Sequence, residues 1–525
     1  MVFTTYEFLI LLVVAAVLYY TLPRSFQWKL LLAASAVFYA YSGLDNLIYL
    51  AVTIISVYLA TRRMDDLLAE QARGLAADIP GENAKAYRAA IKRRRRRLMV
   101  LCLVLNLGIL VVIKYTAFAV QGADAVFHVL AKPEDLGFFR FALPLGLSFY
   151  TFQSVSYVID SYRAKKAGYV ERNPFKLALF ISFFPQMVQG PISRFGDLKQ
   201  TLFERHAADA DAISAGALRV FFGFFKKLVI ADRLMPVIRA LTAPGDEFAG
   251  AYVLLTALVY AVTLYCDFTG GIDVTIGTAR IFGVKLAENF DRPFYSKSVA
   301  EYWRRWHITM GTWFRDYIFY PLSASKPMIR LIKPARRLLG DHIGKRLPVY
   351  IATMVTWFAT GLWHGAAWNF IVWGVLNGAV ILISQELTPL YGKFRSKLRL
   401  GDGKVYGAFE IFRTFWLMSL IRVFDVYADV PRTLRMFGTI FTDFGAGKLI
   451  ANGIAPLGLS LADIVLAAVS LAAMIIAGAV SRSKPGSFNS VTFRVSLCAV
   501  LALAVIVFGK YGLGYDARQF IYNQF

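Results

Sequence analysis

The sequence predicts an all-α protein that crosses a membrane many times, and three observations carry that prediction. Hydrophobic residues make up 57% of the 525 positions and charged residues 18%, with a mean hydropathy of +0.53, a balance that suits lipid as the main solvent. Charge-poor segments near the length of roughly 20 residues that a 30 Å hydrocarbon layer demands recur along the whole chain. Between them the basic residues gather in a few stretches, as cytoplasmic loops do.

Apolar length places spans at 7–22, 29–42, 46–61, 98–119, 139–160, 214–241, 248–266, 347–361, 366–385, 406–426, 459–481 and 495–510. These predict about 11–12 transmembrane helices, clearest at 248–266 and 464–481. Residues 1–22 lack a basic start and a small-residue cleavage site, and read as a retained span.

The loop at 62–97 ends in IKRRRRR at 91–97, the strongest positive-inside signal in the chain, and is expected on the cytoplasmic side. Counting outward, the basic stretches at 163–176, 327–346, 393–404 and 482–494 fall on that same side, and the turns near Asp124 and Asp246 fall outside. The excess of 58 Lys+Arg over 34 Asp+Glu, a net +24, is therefore a membrane signature. Nucleic acid is excluded as a partner because no soluble domain carries the charge.

Two apolar stretches spoil a simple crossing pattern: 175–192, with Pro185, Gly190 and Pro191, and 268–282, with Gly270 and Gly271. Both have basic flanks on either side, so each is expected to be a re-entrant segment lining a cavity. Cys102, Cys266 and Cys498 lie far apart in apolar runs without CxxC spacing, which marks core residues.

Three of the five histidines, His128, His206 and His342, fall in loops or at span ends and read as solvated. His364 differs. It is the only acidic, basic or imidazole side chain across 347–385, and sits in GLWHGAAW at 361–368 between glycines that permit close backbone approach. A polar group there is costly unless it has a partner or a task; a buried structural histidine is the plain alternative.

A second histidine lies in EYWRRWHITMGTWFRDY at 301–317, where helical spacing puts Trp303, Arg304, His307, Met310, Gly311 and Phe314 on one face. An interfacial helix with Arg304, Arg305 and Arg315 facing phosphate is the competing reading. Imidazole suits proton abstraction because its unperturbed pKa of about 6.5 lies near working pH. No GxSxG, HExxH or P-loop is present, Cys266 beside Asp267 lacks an indicated base, and no histidine pair has the i, i+4 spacing of a metal site.

The ordered strings LPLGLSFYTFQSVSYVIDSYR at 143–163, FFPQMVQGPISRF at 183–195, YCDFTGGIDVTIGTARIFGVKLAENFDRPF at 265–294, YWRRWHIT at 302–309, TWFRDYIFYPL at 312–322 and GLWHGAAWNFIVWG at 361–374 resemble the membrane-bound O-acyltransferase family, in its bacterial alginate O-acetyltransferase branch. The resemblance covers about 1–390 of a single 1–525 transmembrane domain, with further C-terminal helices over 391–525. It implies a central catalytic chamber with His364 as the catalytic histidine and His307 as the second active-site position. Hydropathy alone puts His364 at an outer turn. Arg304, Arg305, Asp267, Trp363 and Gln186 would shape the chamber or bind substrate.

The resemblance further implies acetyl-CoA or another acyl thioester as cytoplasmic donor, with no bound cofactor or metal. The acceptor would be a hydroxyl of an exported polysaccharide such as alginate, reached directly or through extracytoplasmic proteins, at a bacterial inner membrane. In that scheme His364 is the general base and His307 positions or polarises the acyl carbonyl. The sequence departs from the pattern at PLSASK (321–326), Asn377-Gly378 and IRVFDV (421–426). A transporter or channel, and an acyltransferase acting on lipid or protein, are the alternatives.

Overall fold

The computed structural model describes residues 1–76, 81–127, 144–245, 248–397, 403–447, 450, 457–484, 486–512 and 515. His128, the start of the expected span at 139–160 and Asp246 lie outside the described residues. Among the described residues the regular structure is helix, with one isolated bridge between Phe290 and Trp306 and no sheet. It is an all-α polytopic membrane protein. Six described helices are long and apolar enough to cross a membrane: Asn46–Gly74, Asn83–Gly122, Ala251–Ile281, Trp368–Glu386, Leu461–Ser483 and Val491–Phe508.

Contacts sort the chain into two compact units, one of residues 1–217 with 275–286, the other of 218–274 with 287–525. In the first, the expected loop at 62–97 is largely helix, because Asn46–Ala76 and Gly81–Phe127 run on well past their apolar spans. Its Arg, Leu, Ala, Glu and Met residues are strong helix formers, so leaving the apolar stretch does not end the helix. Nor is the arginine run uniformly solvated. Arg95 is buried and donates to the carbonyls of Ser161 and Tyr162, both at 2.9 Å, capping the Leu147–Arg163 helix.

The segment expected to be re-entrant at 175–192 is a buried, broken helix in this unit. Asn173 caps Pro174–Ser182 through its side-chain oxygen, the chain kinks at Phe183, and Phe184–Met187 adds one turn containing Pro185. His206 is partly buried rather than solvated, with Nε2 2.8 Å from the Thr201 carbonyl.

The expected separation of 248–266 from 268–282 does not occur: Ala251–Ile281 is one helix of 31 residues. Gly270 and Gly271 do not break it; Gly270 serves close packing instead. A Cβ on Gly223 would stand 2.6 Å from the Gly270 carbonyl oxygen, so these two glycines let neighbouring backbones touch. Leu461–Ser483 and Val491–Phe508 turn Val465, Val469, Ile476, Leu503 and Ile506 outward, the surface expected of helices that face lipid.

Candidate active site

Both histidines and the groups described below around them belong to the second unit. The single helical face expected across 303–314 is absent, because two short helices, Val299–Arg305 and Ile308–Phe314, meet at His307. Backbone groups that would extend the first helix are taken by the strand-like segment 289–291. Asp291 N donates to Arg305 O at 2.9 Å, Ile308 N to Asn289 O at 3.0 Å, and Phe290 bridges Trp306. His307 is left in the left-handed region at φ 49°, ψ 53°, which costs a non-glycine residue about 1–2 kcal/mol.

The same segment fixes the imidazole. Asn289 Oδ1 accepts from Thr309 N at 3.0 Å and from Thr309 Oγ1 at 2.9 Å, and lies 3.3 Å from His307 Nδ1. A backbone N–H can only donate, so the shared atom is the amide oxygen, and a hydrogen bond between it and His307 requires the tautomer with hydrogen on Nδ1. Nε2 of the neutral ring then holds the lone pair.

His364 is the last residue of the Lys326–His364 helix, which ends at the extended Gly365. Its position depends on glycines. A Cβ on Gly361 would lie 3.3 Å from Gly374 Cα and would clash with the Phe370 carbonyl, and one on Gly365 would enter the Phe370 ring. The hairpin with Trp368–Glu386 therefore closes tightly just where the histidine sits.

Aromatic rings join the two imidazoles. His307 packs edge-on against Phe268, centroids 4.8 Å apart, and 6.0 Å from Trp363. His364 lies 5.1 Å from Trp363 and 4.8 Å from Trp373. Trp363 thus neighbours both histidines, which are 0% and 3% exposed. His364, which hydropathy assigns to an outer turn, is a buried helix end.

Sequence reasoning missed Arg422 and Asn289. The Arg422 guanidinium lies 4.6 Å from the Trp306 ring, 5.3 Å from Trp373 and 5.6 Å from Trp303, and donates to Asp425 at 3.1 Å. An arginine and an aspartate three apart in an otherwise apolar run, IRVFDV, was the available signal.

The model of the membrane-bound O-acyltransferase family matches residues 114–331, a stretch that contains the His307 loop. The chain is 32% identical over 483 residues to a probable alginate O-acetylase AlgI of Pseudomonas syringae pv. tomato, covering 90% of this chain and 81% of that one. This chain belongs to the membrane-bound O-acyltransferase family. It is also 28% identical over 324 residues to a peptidoglycan O-acetyltransferase of Helicobacter pylori, 57% of each chain. A teichoic acid D-alanyltransferase of Bacillus subtilis is 29% identical over 245 residues, 45% of this chain and 58% of that one.

Membership makes this membrane-bound O-acyltransferase an enzyme and sets aside the transporter alternative. Of its other expected site residues, Trp363 stands between the histidines. Asp267 is fully buried beside Phe268 and bonds Lys227 at 2.6 Å; Asp232 holds the same ammonium at 2.8 Å. Arg304 is exposed and Arg305 pairs with Glu301 at 2.7 Å. Gln186 belongs to the first unit, where it is buried and bonds Gln153 and Ser193 at 3.1 and 3.0 Å. A polar cavity of about 190 Å³ is lined by Phe290 together with Arg219, Lys226, Asp273, Glu288 and Arg292. Among the described residues no cluster of His, Cys, Asp and Glu could hold a metal ion.

Proposed function

We propose that this acyltransferase moves an acetyl group from a cytoplasmic thioester such as acetyl-CoA to hydroxyls of an exported polysaccharide such as alginate, directly or through an extracytoplasmic protein. The bacterial inner membrane would be its site, with the 62–97 region on the cytoplasmic side. Acetyl is favoured because the O-acetylase relative covers far more of the chain than the alanyl-transferring one. The observation that carries the chemistry is the placement of Trp363 beside two buried imidazoles.

His364 acts as general base in this scheme. At the carbonyl end of a helix, the positive charge that develops as an imidazole takes a proton meets the negative end of the dipole. The hydroxyl oxygen attacks the thioester carbonyl, its proton passes to His364, and the tetrahedral intermediate collapses with expulsion of the thiolate, which recovers the proton.

His307, with hydrogen on Nδ1, cannot donate from Nε2 while neutral. Of its two expected roles, positioning therefore fits better than polarising the carbonyl, and its lone pair would orient the attacking hydroxyl. Asp267, Arg304, Arg305 and Gln186 are left without a chemical role in this scheme.

The test is ester formation by purified protein in proteoliposomes supplied with acetyl-CoA and deacetylated alginate oligomers. Wild type should form ester and His364→Ala should not, at normal membrane accumulation. Wild-type rates in the variant would overturn the assignment.

A further inference from the structure

We propose that Arg422 is a positioning residue for acyl transfer, whose guanidinium, packed on Trp306 and Trp373 and paired with Asp425, holds in place the residue that precedes His307 and the ring that packs on His364. The inference rests on the histidine chemistry proposed above.

Arg422 lies between the Lys404–Ile421 helix and the short Val423–Tyr427 helix, and is only 4% exposed. One planar cation there touches three tryptophans, at 4.6, 5.3 and 5.6 Å. Trp306 immediately precedes His307, and Trp373 packs on His364. The guanidinium is thus one side chain away from His364, and it packs on the residue that leads the chain into His307.

The turn that carries it is anchored to the same walls. Asn369, on the helix that bears Trp373, donates to the Phe424 carbonyl at 3.2 Å, and Asp425 N closes back on Arg422 O at 2.9 Å. Phe424 and Ile421 pack with Trp373 in one apolar cluster.

Stability alone is a poor reason for this arrangement. A buried ion pair seldom outperforms apolar side chains of equal volume, since desolvation offsets its attraction. What an arginine supplies and an apolar residue does not is a flat, charged plate that holds several aromatic faces in register. A lysine keeps the charge and loses the plate.

The experiment compares wild type, His364→Ala, Arg422→Lys and the charge-free pair Arg422→Met with Asp425→Asn, which leaves no lone buried charge. Turnover, donor KM and melting are measured in proteoliposomes with acetyl-CoA and deacetylated alginate oligomers. The expected result is a fall in kcat of roughly 10- to 100-fold in the charge-free pair, the scale of a misplaced catalytic group, with donor KM changed less than about twofold. Arg422→Lys recovers part of that loss.

Wild-type kcat in Arg422→Lys and in the charge-free pair, or a loss confined to KM, overturns the role of Arg422 while leaving that of His364 intact. If the charge-free pair fails to accumulate, Arg422→Lys decides alone: unchanged kcat overturns the proposal, lowered kcat at unchanged KM supports it. Absence of ester from wild type overturns the proposed function and this inference together.

Discussion

The amide oxygen of Asn289 lies 3.3 Å from His307 Nδ1 while accepting from both the backbone and the hydroxyl of Thr309. One buried acceptor therefore sets the tautomer of the imidazole and closes the loop that presents it.

Removing that acceptor should separate chemistry from folding. In Asn289→Ala the Thr309 N–H loses its partner, at about 1–3 kcal/mol for a buried donor, and acyl transfer should fall about 10- to 100-fold as the ring loses its orientation. Asn289→Asp, which keeps an acceptor in place, should retain more activity. Melting and initial rates, measured on the same preparations, check both statements.

The left-handed backbone at His307 makes a contrasting prediction about stability. His307→Gly should be more stable than His307→Ala by about 1 kcal/mol, because glycine adopts positive φ without a Cβ clash. Both variants should lose acyl transfer. A melting series in detergent would detect the difference, and equal stabilities would show that the loop carries no strain.

Gly361 should tolerate no side chain. A Cβ there meets the Phe370 carbonyl and Gly374, so Gly361→Ala should cost about 1–3 kcal/mol by overpacking and displace His364 three residues on. Gly108, where a Cβ would meet nothing within 4 Å, is the control: Gly108→Ala should be neutral or stabilising by about 0.5–1 kcal/mol in its helix. Melting temperatures of the two variants, measured side by side in detergent, check the contrast.

Lys227 holds two buried carboxylates, Asp232 at 2.8 Å and Asp267 at 2.6 Å. Lys227→Met leaves both without their ammonium and should destabilise by ~3–5 kcal/mol, seen as poor membrane accumulation. Adding Asp232→Asn and Asp267→Asn should restore much of it. If the single variant accumulates normally, the cluster is not structural.

The two histidine motifs were legible in the sequence because His364 is the lone acidic, basic or imidazole side chain across 347–385 and His307 sits in an aromatic, basic string that matches the family pattern, and so was Trp363 beside one of them. Their surroundings were not. Helical spacing misplaced the neighbours of His307, since it assumes one uninterrupted helix, and nothing local to 301–317 announces that 289–291 will take its backbone hydrogen bonds. The resemblance offered Arg304 and Arg305 for the chamber, but not Arg422, more than a hundred positions away from His307, whose guanidinium packs on the neighbouring Trp306.

By itself the sequence determined the solvent and the class: apolar runs of membrane length commit the chain to helices, because lipid offers the backbone no other hydrogen-bond partner. It also determined which two imidazoles stand out. Only the tertiary structure decided where helices stop, that Gly270 joins helices rather than breaking one, and which side chains surround the histidines. Those outcomes depend on contacts between residues far apart in the chain, whose backbone and ring partners no local pattern encodes.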